Sequence, residues 1–132
     1  MTETRRCMGS SIAHWATATP NNMAIDCPSG QRTYAELDQL ASAYAQAFVG
    51  AGLKKGDRIC WLGTNSGLFF TLFAAATRAN MVIAPIGWRL AAPEVAYVLK
   101  DTQAPMLICE PAFADVAKNA AADAGTKTIL CT

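Results

Sequence analysis

Histidine is almost missing from this sequence. His14 alone stands among 132 residues, which excludes any site built on several histidine ligands. The five cysteines, Cys7, Cys27, Cys60, Cys109 and Cys131, are too widely spaced for a zinc knuckle or a Cys-x-x-Cys redox pair. Charge of one sign is scarce as well. Eleven basic side chains face ten acidic ones, and the basic pairs Arg5-Arg6 and Lys54-Lys55 stand alone. Nucleic acid is held by clustered cations, so it is set aside as a partner. The longest apolar run, Gly67 to Thr77, stops at Arg78 and Asn80. A transmembrane segment needs about 20 apolar residues, so this run reads as a buried helix. No apolar signal core follows Arg5-Arg6, and the odd cysteine count does not suggest a disulfide framework. The expected location is cytoplasmic.

What the chain does hold is apolar surface, at 52% of residues, although 26 of these are alanines that each bury little area. A chain of this length is expected to form a single α/β unit, residues 1–132, burying about two thirds of its unfolded surface. Helix and strand signals alternate along it. Ser10 or Ser11 is placed to cap a first helix through Ile12 and Trp15, with Pro20 as its stop. "MAIDC" and "QRTY" flank Pro28-Ser29-Gly30 and predict a short hairpin. Thr33-Tyr34-Ala35-Glu36 is a capping box, followed by Leu37, Leu40, Ala41, Tyr44 and Phe48 along one helical face. Gly50 and Gly52 end that helix, and Gly56-Asp57 turns into a strand over Arg58–Leu62.

The next helix, from about Ser66 to Ala79, is apolar nearly all round and must be covered on both sides. Asn80 suits its left-handed close. "MVIAPI" predicts a strand, Pro93 a helix start at the first helical position, and "PMLIC" another strand. A helix from Phe113 to Ala124, closed by Gly125, leads to the strand "KTILC". Helices between successive strands predict a layered, mostly parallel sheet flanked by helices, with a short N-terminal hairpin.

The candidate for chemistry is Gly63-Thr64-Asn65-Ser66-Gly67. It joins a strand to a helix, where parallel α/β sheets bind ligands and helix N-termini attract anions. It has neither the Lys-Ser/Thr of a Walker loop nor a G-x-G-x-x-G fingerprint. The plainer expectation is a tight turn in which Thr64 or Asn65 caps a buried helix. Other residues have structural duties: His14 beside Trp15, Glu36 in its cap, Glu94 in a helical first turn, Asp57 in a turn. Trp61 and Trp88, at strand positions, are expected in the core. The residues by themselves describe a scaffold with no assembled active site.

The order of segments is more informative. "TYAELDQLASAYAQAFVGAGLKKGDRI", "TNSGLFFTLFAAATRANMVIAPIGWRL" and "PEVAYVLKDTQAPMLI" together resemble the N-terminal region of acyl-CoA synthetases, from about Ile12 to Cys131. These enzymes belong to the adenylate-forming superfamily. The most specific pieces are Thr33-Tyr34 with Glu36-Leu37, Gly52-Leu53 with Gly56-Asp57-Arg58, Asn65-Ser66, Arg78-Ala79, and Trp88-Arg89-Leu90 with Glu94. Leu68, Asn80 and Gly87 depart from the usual Glu, Gly and Asn.

The resemblance implies a partial N-terminal domain of the adenylate-forming fold. In such enzymes a carboxylate is activated with ATP and Mg²⁺ to an acyl-adenylate and then passed to CoA. Their phosphate loop, ending in Pro-Lys-Gly, lies downstream of the matched region, as do the Tyr-x-x-Gly-Glu and Thr-Gly-Asp segments and the C-terminal domain with its catalytic Lys. No catalytic, cofactor-binding or metal residue is therefore assigned. The resemblance implies an N-terminal fragment, inactive and without cofactor when alone, whose natural partner is the rest of the synthetase. It also makes Gly63–Gly67 a structural turn. Two alternatives remain open: a free-standing α/β module binding a nucleotide or acyl ligand at the strand ends near Gly63–Gly67 and Gly87, or an interaction subunit. Because the apolar helix would lose cover, self-association as a dimer is also expected.

Overall fold

The computed structural model describes residues 7–132. They form two compact units, one made of residues up to 55 together with 66–80, the other of residues 56–65 together with 81–132.

The first unit is three helices and a hairpin. Helix α1 (Met8–Ala18) is followed by the antiparallel strands β1 (Met23–Cys27) and β2 (Gly30–Thr33), then α2 (Tyr34–Gly50) and, later in the chain, α3 (Gly67–Arg78). α1 begins earlier than expected and is not capped by Ser10 or Ser11. Cys7 is the N-cap, its Sγ accepting from the Ser10 N–H at 3.4 Å while the Ser10 hydroxyl bonds back to the Cys7 carbonyl at 3.0 Å. A cap acts on the amide three residues on, and from Cys7 that amide is Ser10. The capping box of α2 forms in full: the Glu36 N–H reaches the Thr33 hydroxyl at 3.3 Å, and the Thr33 N–H reaches the Glu36 carboxylate at 2.8 Å. Leu37, Ala41 and Phe48 are buried along the expected face, whereas Leu40 and Tyr44 are only half-buried.

Glycine lets α1 and α3 approach closely. A Cβ on Gly9 would lie 3.0 Å from the Arg78 Cβ and 3.1 Å from the Ala74 carbonyl oxygen. Arg78, at the end of α3, then ties all three helices. Its guanidinium donates to the Gly9 carbonyl on α1, and on α2 to the Asp38 carbonyl, the Asp38 carboxylate and the Ser42 hydroxyl. Asn80 closes α3 in the left-handed region, with φ of 56°.

The second unit is a parallel four-stranded sheet with two helices. Its elements are β3 (Arg58–Leu62), β4 (Val82–Ile86), α4 (Ala92–Thr102), β5 (Met106–Cys109), a 3-10 turn at Pro111–Phe113, α5 (Ala114–Ala124) and β6 (Thr128–Cys131), with the strands in the order β4-β3-β5-β6. Cys60, Leu62, Leu107 and Cys109 share one core with Val95, Ala96 and Leu99 of α4 and Ala117, Ala120 and Ala121 of α5. The alternate residues Ile59, Trp61, Met106 and Ile108 are buried too, as central strands of parallel sheets require.

Three expectations are corrected in this unit. Ala92, not Pro93, is the first residue of α4; Ala91 is the N-cap and its N–H donates to the Glu94 carboxylate at 2.8 Å. Pro93 still costs no hydrogen bond, because first-turn N–H groups have no helical acceptor. The predicted Phe113 start of α5 is absorbed by the 3-10 turn, since Pro111 suits a tight first turn. Trp88 is not core: β4 ends at Ile86, and the indole is 44% exposed in the turn that follows.

Candidate functional site

Parallel strands place the ends of β3, β4 and β5 at one edge of the sheet, and with them Gly63, Gly87 and Glu110. The Glu110 N–H donates to the Leu62 carbonyl at 3.1 Å, so its side chain is held beside the turn that follows β3. There the Thr64 hydroxyl donates to the Glu110 carboxylate, at 2.9 Å to Oε1 and 3.2 Å to Oε2. Gly63 has no room for a side chain. A Cβ would lie 2.5 Å from Cζ2 of the Trp61 ring and 3.0 Å from the Glu110 Cδ.

This geometry bears on the phosphate question. A loop that cradles phosphate presents free N–H groups and positive potential. Here the hydroxyl of Thr64 faces a carboxylate, whose charge opposes an incoming phosphate. Beyond the turn, Ser66 rather than Thr64 or Asn65 caps α3. Its hydroxyl accepts from the Phe69 N–H at 3.2 Å, and its carbonyl from the Phe70 N–H at 3.2 Å. Ser66 has the extended backbone of a cap and sits three residues before Phe69, while Thr64 is drawn to Glu110. The turn thus presents a carboxylate, rather than a cation, beside the start of α3.

At the same edge the Arg89 guanidinium lies 4.7 Å from the Trp88 ring centroid, and Trp88 packs against Phe113 at 6.1 Å. Arg89 brings a positive charge to this edge, engaged over an aromatic face.

A second candidate lies in the helical unit. A cavity of about 250 Å³ is lined by Ile25, Cys27 and Arg32 of the hairpin, Leu40 and Tyr44 of α2, and Leu68 of α3. The half-buried placing of Leu40 and Tyr44 is explained by it, since they form its wall. The Ser29 hydroxyl beside Cys27, at 3.1 Å from Sγ, holds that thiol below its usual range. Arg32 brings one positive charge, its guanidinium donating to the Gln31 carbonyl at 2.9 Å. Helical spacing marked Leu40 and Tyr44 as apolar without showing that they face a cavity. Glu110 carried no signal at all in the sequence, because its partner lies 46 residues away.

The remaining residues singled out by the sequence stay apart. His14 is exposed and packs edge-on to Trp15 at 4.9 Å. Glu36 and Glu94 serve their caps, and the Asp57 carbonyl accepts from the Val82 N–H at 2.9 Å. Among the described residues, no group of three or more His, Cys, Asp or Glu is arranged to hold a metal, and no helix is long and apolar enough to cross a membrane.

Comparison with known proteins matches residues 12–132 to the family described as AMP-binding enzyme. The chain is 37% identical over 103 residues to the long-chain-fatty-acid–CoA ligase FadD13 of Mycobacterium tuberculosis, covering 76% of this chain and 20% of that protein. It is 33% identical over 97 residues to the fatty acid–[acyl-carrier-protein] ligase ScoC of Streptomyces coeruleorubidus, covering 74% of this chain and 19% of that protein. The N-terminal domain of FACL13 from Mycobacterium tuberculosis superposes on 97% of this chain and 34% of its own, with a TM-score of 0.90 and 32% identity. The chain thus spans about a fifth of the length of the curated relatives it matches. Matched by that family over residues 12–132, the chain belongs to the AMP-binding enzymes.

Proposed function

We propose that residues 1–132 are the N-terminal part of an ATP-dependent acyl-CoA synthetase, contributing scaffold rather than reacting groups. The complete enzyme would convert a carboxylate to its acyl-adenylate with ATP and Mg²⁺, then to the acyl-CoA. The observation that carries this reading is the 37% identity to a long-chain-fatty-acid–CoA ligase, confined to 20% of that protein's length. The Thr64–Glu110 contact supports a structural role for Gly63–Gly67. With no phosphate-binding loop or catalytic lysine among the 132 residues, the isolated chain would not form an acyl-adenylate. The test is carboxylate-dependent ATP–pyrophosphate exchange by the pure chain. No exchange is expected, and exchange above background would overturn the reading.

The reading extends to partners and place. The rest of the synthetase is the natural partner, and without it the chain pairs with a second copy through exposed apolar surface. Phe70 on α3 is 39% exposed, and Val82 and Leu130 are exposed on β4 and β6, the outer strands of the sheet. Five free thiols support a reducing, cytoplasmic setting.

A further inference from the structure

Far apart in sequence, Cys109 and Cys131 meet on neighbouring parallel strands. They are register partners of β5 and β6, and their Sγ atoms lie 3.4 Å apart. In-register residues on adjacent strands point to the same face, with backbones about 4.8 Å apart, inside the Cα separation of about 4.4–6.8 Å that a disulfide spans. Cys109 is fully buried, whereas Cys131 is exposed on the edge strand. The pair therefore has one thiol open to reagents and a second, shielded thiol in contact with it.

We propose that Cys109 and Cys131 are a reversible thiol–disulfide site, closed by exchange with a low-molecular-weight disulfide of the glutathione type. The Cys131 thiol gives its proton to water, and its thiolate attacks one sulfur of the reagent. The reagent's S–S bond breaks, one small thiolate leaves and is protonated, and a mixed disulfide remains on Cys131. The Cys109 thiol then gives its proton to water, and its thiolate attacks the Cys131 sulfur. That step forms the Cys109–Cys131 bond and expels the second small thiolate, which is protonated in turn. Two electrons and two protons pass from the protein thiols to the reagent, which is reduced to two thiols.

The order of attack follows from the surroundings. Burial, and then the Cys131 thiol alongside, push the Cys109 thiol up to about 12, while Lys118 acts in the other direction. Cys109 is thus inert toward reagents in solution. Once Cys131 carries the mixed disulfide it is no longer a titratable thiol, and one of the influences that raise Cys109 goes with it. Proximity supplies the rest, since the second attack is intramolecular. The product would fasten the edge strand β6 to β5 and enclose α5 in a covalent loop.

Cys7 and Cys27 are internal controls. Their sulfurs lie against serine and backbone groups, at 3.4 Å from the Ser10 nitrogen and 3.1 Å from the Ser29 hydroxyl, and both thiols are held below the usual range by those hydrogen bonds. They should capture glutathione and keep it. The experiment incubates the reduced, folded chain with excess oxidised glutathione, quenches with acid, alkylates, and maps the peptides by mass. A linked peptide pair containing Cys109 and Cys131, released by dithiothreitol, is expected, beside glutathione adducts on Cys7 and Cys27. Cys109→Ala should leave glutathione on Cys131. Cys131→Ser, a change at an exposed position, should leave Cys109 free and alkylated only after unfolding. The proposal fails if wild-type Cys131 retains glutathione, if both cysteines are recovered as thiols, or if the link forms as fast in denaturing urea.

Discussion

Arg78 Nη2 lies 2.6 Å from Asp38 Oδ1, an ion pair that joins the end of α3 to the first half of α2. Both side chains are mostly sheltered, at 21% and 31% exposed, so solvent screens the pair less than an ordinary surface bridge. The same guanidinium serves the Gly9 carbonyl and the Ser42 hydroxyl, so one planar fork holds three helices. Arg78→Met should destabilise the chain by about 2 kcal/mol, chiefly through partners left without a donor. Arg78→Lys should recover only part of that, because an ammonium cannot reproduce the fork. Denaturant midpoints of the three proteins measure this; a lysine variant as stable as wild type would show that charge alone suffices.

Thr33 offers a cleaner local test. Its hydroxyl is half of the capping box of α2, and the loss of such a cap costs about 1 kcal/mol. Thr33→Ala should lower the thermal midpoint, while Thr33→Ser should stay near wild type. If the alanine variant melts at the wild-type temperature, the box contributes nothing.

Gly63→Ala probes the turn at the sheet edge. The new methyl would meet the buried Trp61 ring at 2.5 Å, and overpacking of this kind costs about 2 kcal/mol. Tryptophan fluorescence should report the displaced indole along with the lower stability. Unchanged emission and stability would mean that the turn yields without cost.

Self-association should follow from the exposed apolar side chains. A dimer is expected at tens of micromolar by light scattering after size exclusion, and Phe70→Glu should shift it toward monomer. A monodisperse wild-type monomer that binds no hydrophobic dye would count against the idea.

Much of the fold was legible because its signals are local. The Thr33–Glu36 box spans four residues, Gly125 closes α5 with φ of 71°, and the spacing of Leu37, Ala41 and Phe48 marks the buried face of α2. Two caps were not legible. Cys7 caps α1 three residues before Ser10, and a thiol is a weak acceptor that gives little sign of a helix start. At α3, Thr64, Asn65 and Ser66 offer equivalent chemistry, and a shift of one residue decides which oxygen reaches the Phe69 amide. Trp88 was misplaced for a related reason, since Pro85, Gly87 and the aromatic ring do not by themselves say where β4 stops.

The sequence by itself determined the alternation of helices and strands, the parallel sense of the sheet, the hairpin turn and the family likeness. All of these rest on periodicity, turn chemistry and the order of short segments. Only the tertiary structure decided that β3 lies between β4 and β5, that Glu110 meets Thr64, and that Cys109 meets Cys131. Strand order and register set these meetings, and a slip of one residue would turn each side chain to the opposite face. The cavity beside Cys27 and the Arg78 network have the same origin. They exist where elements distant in the chain pack together, and no single element carries their signature.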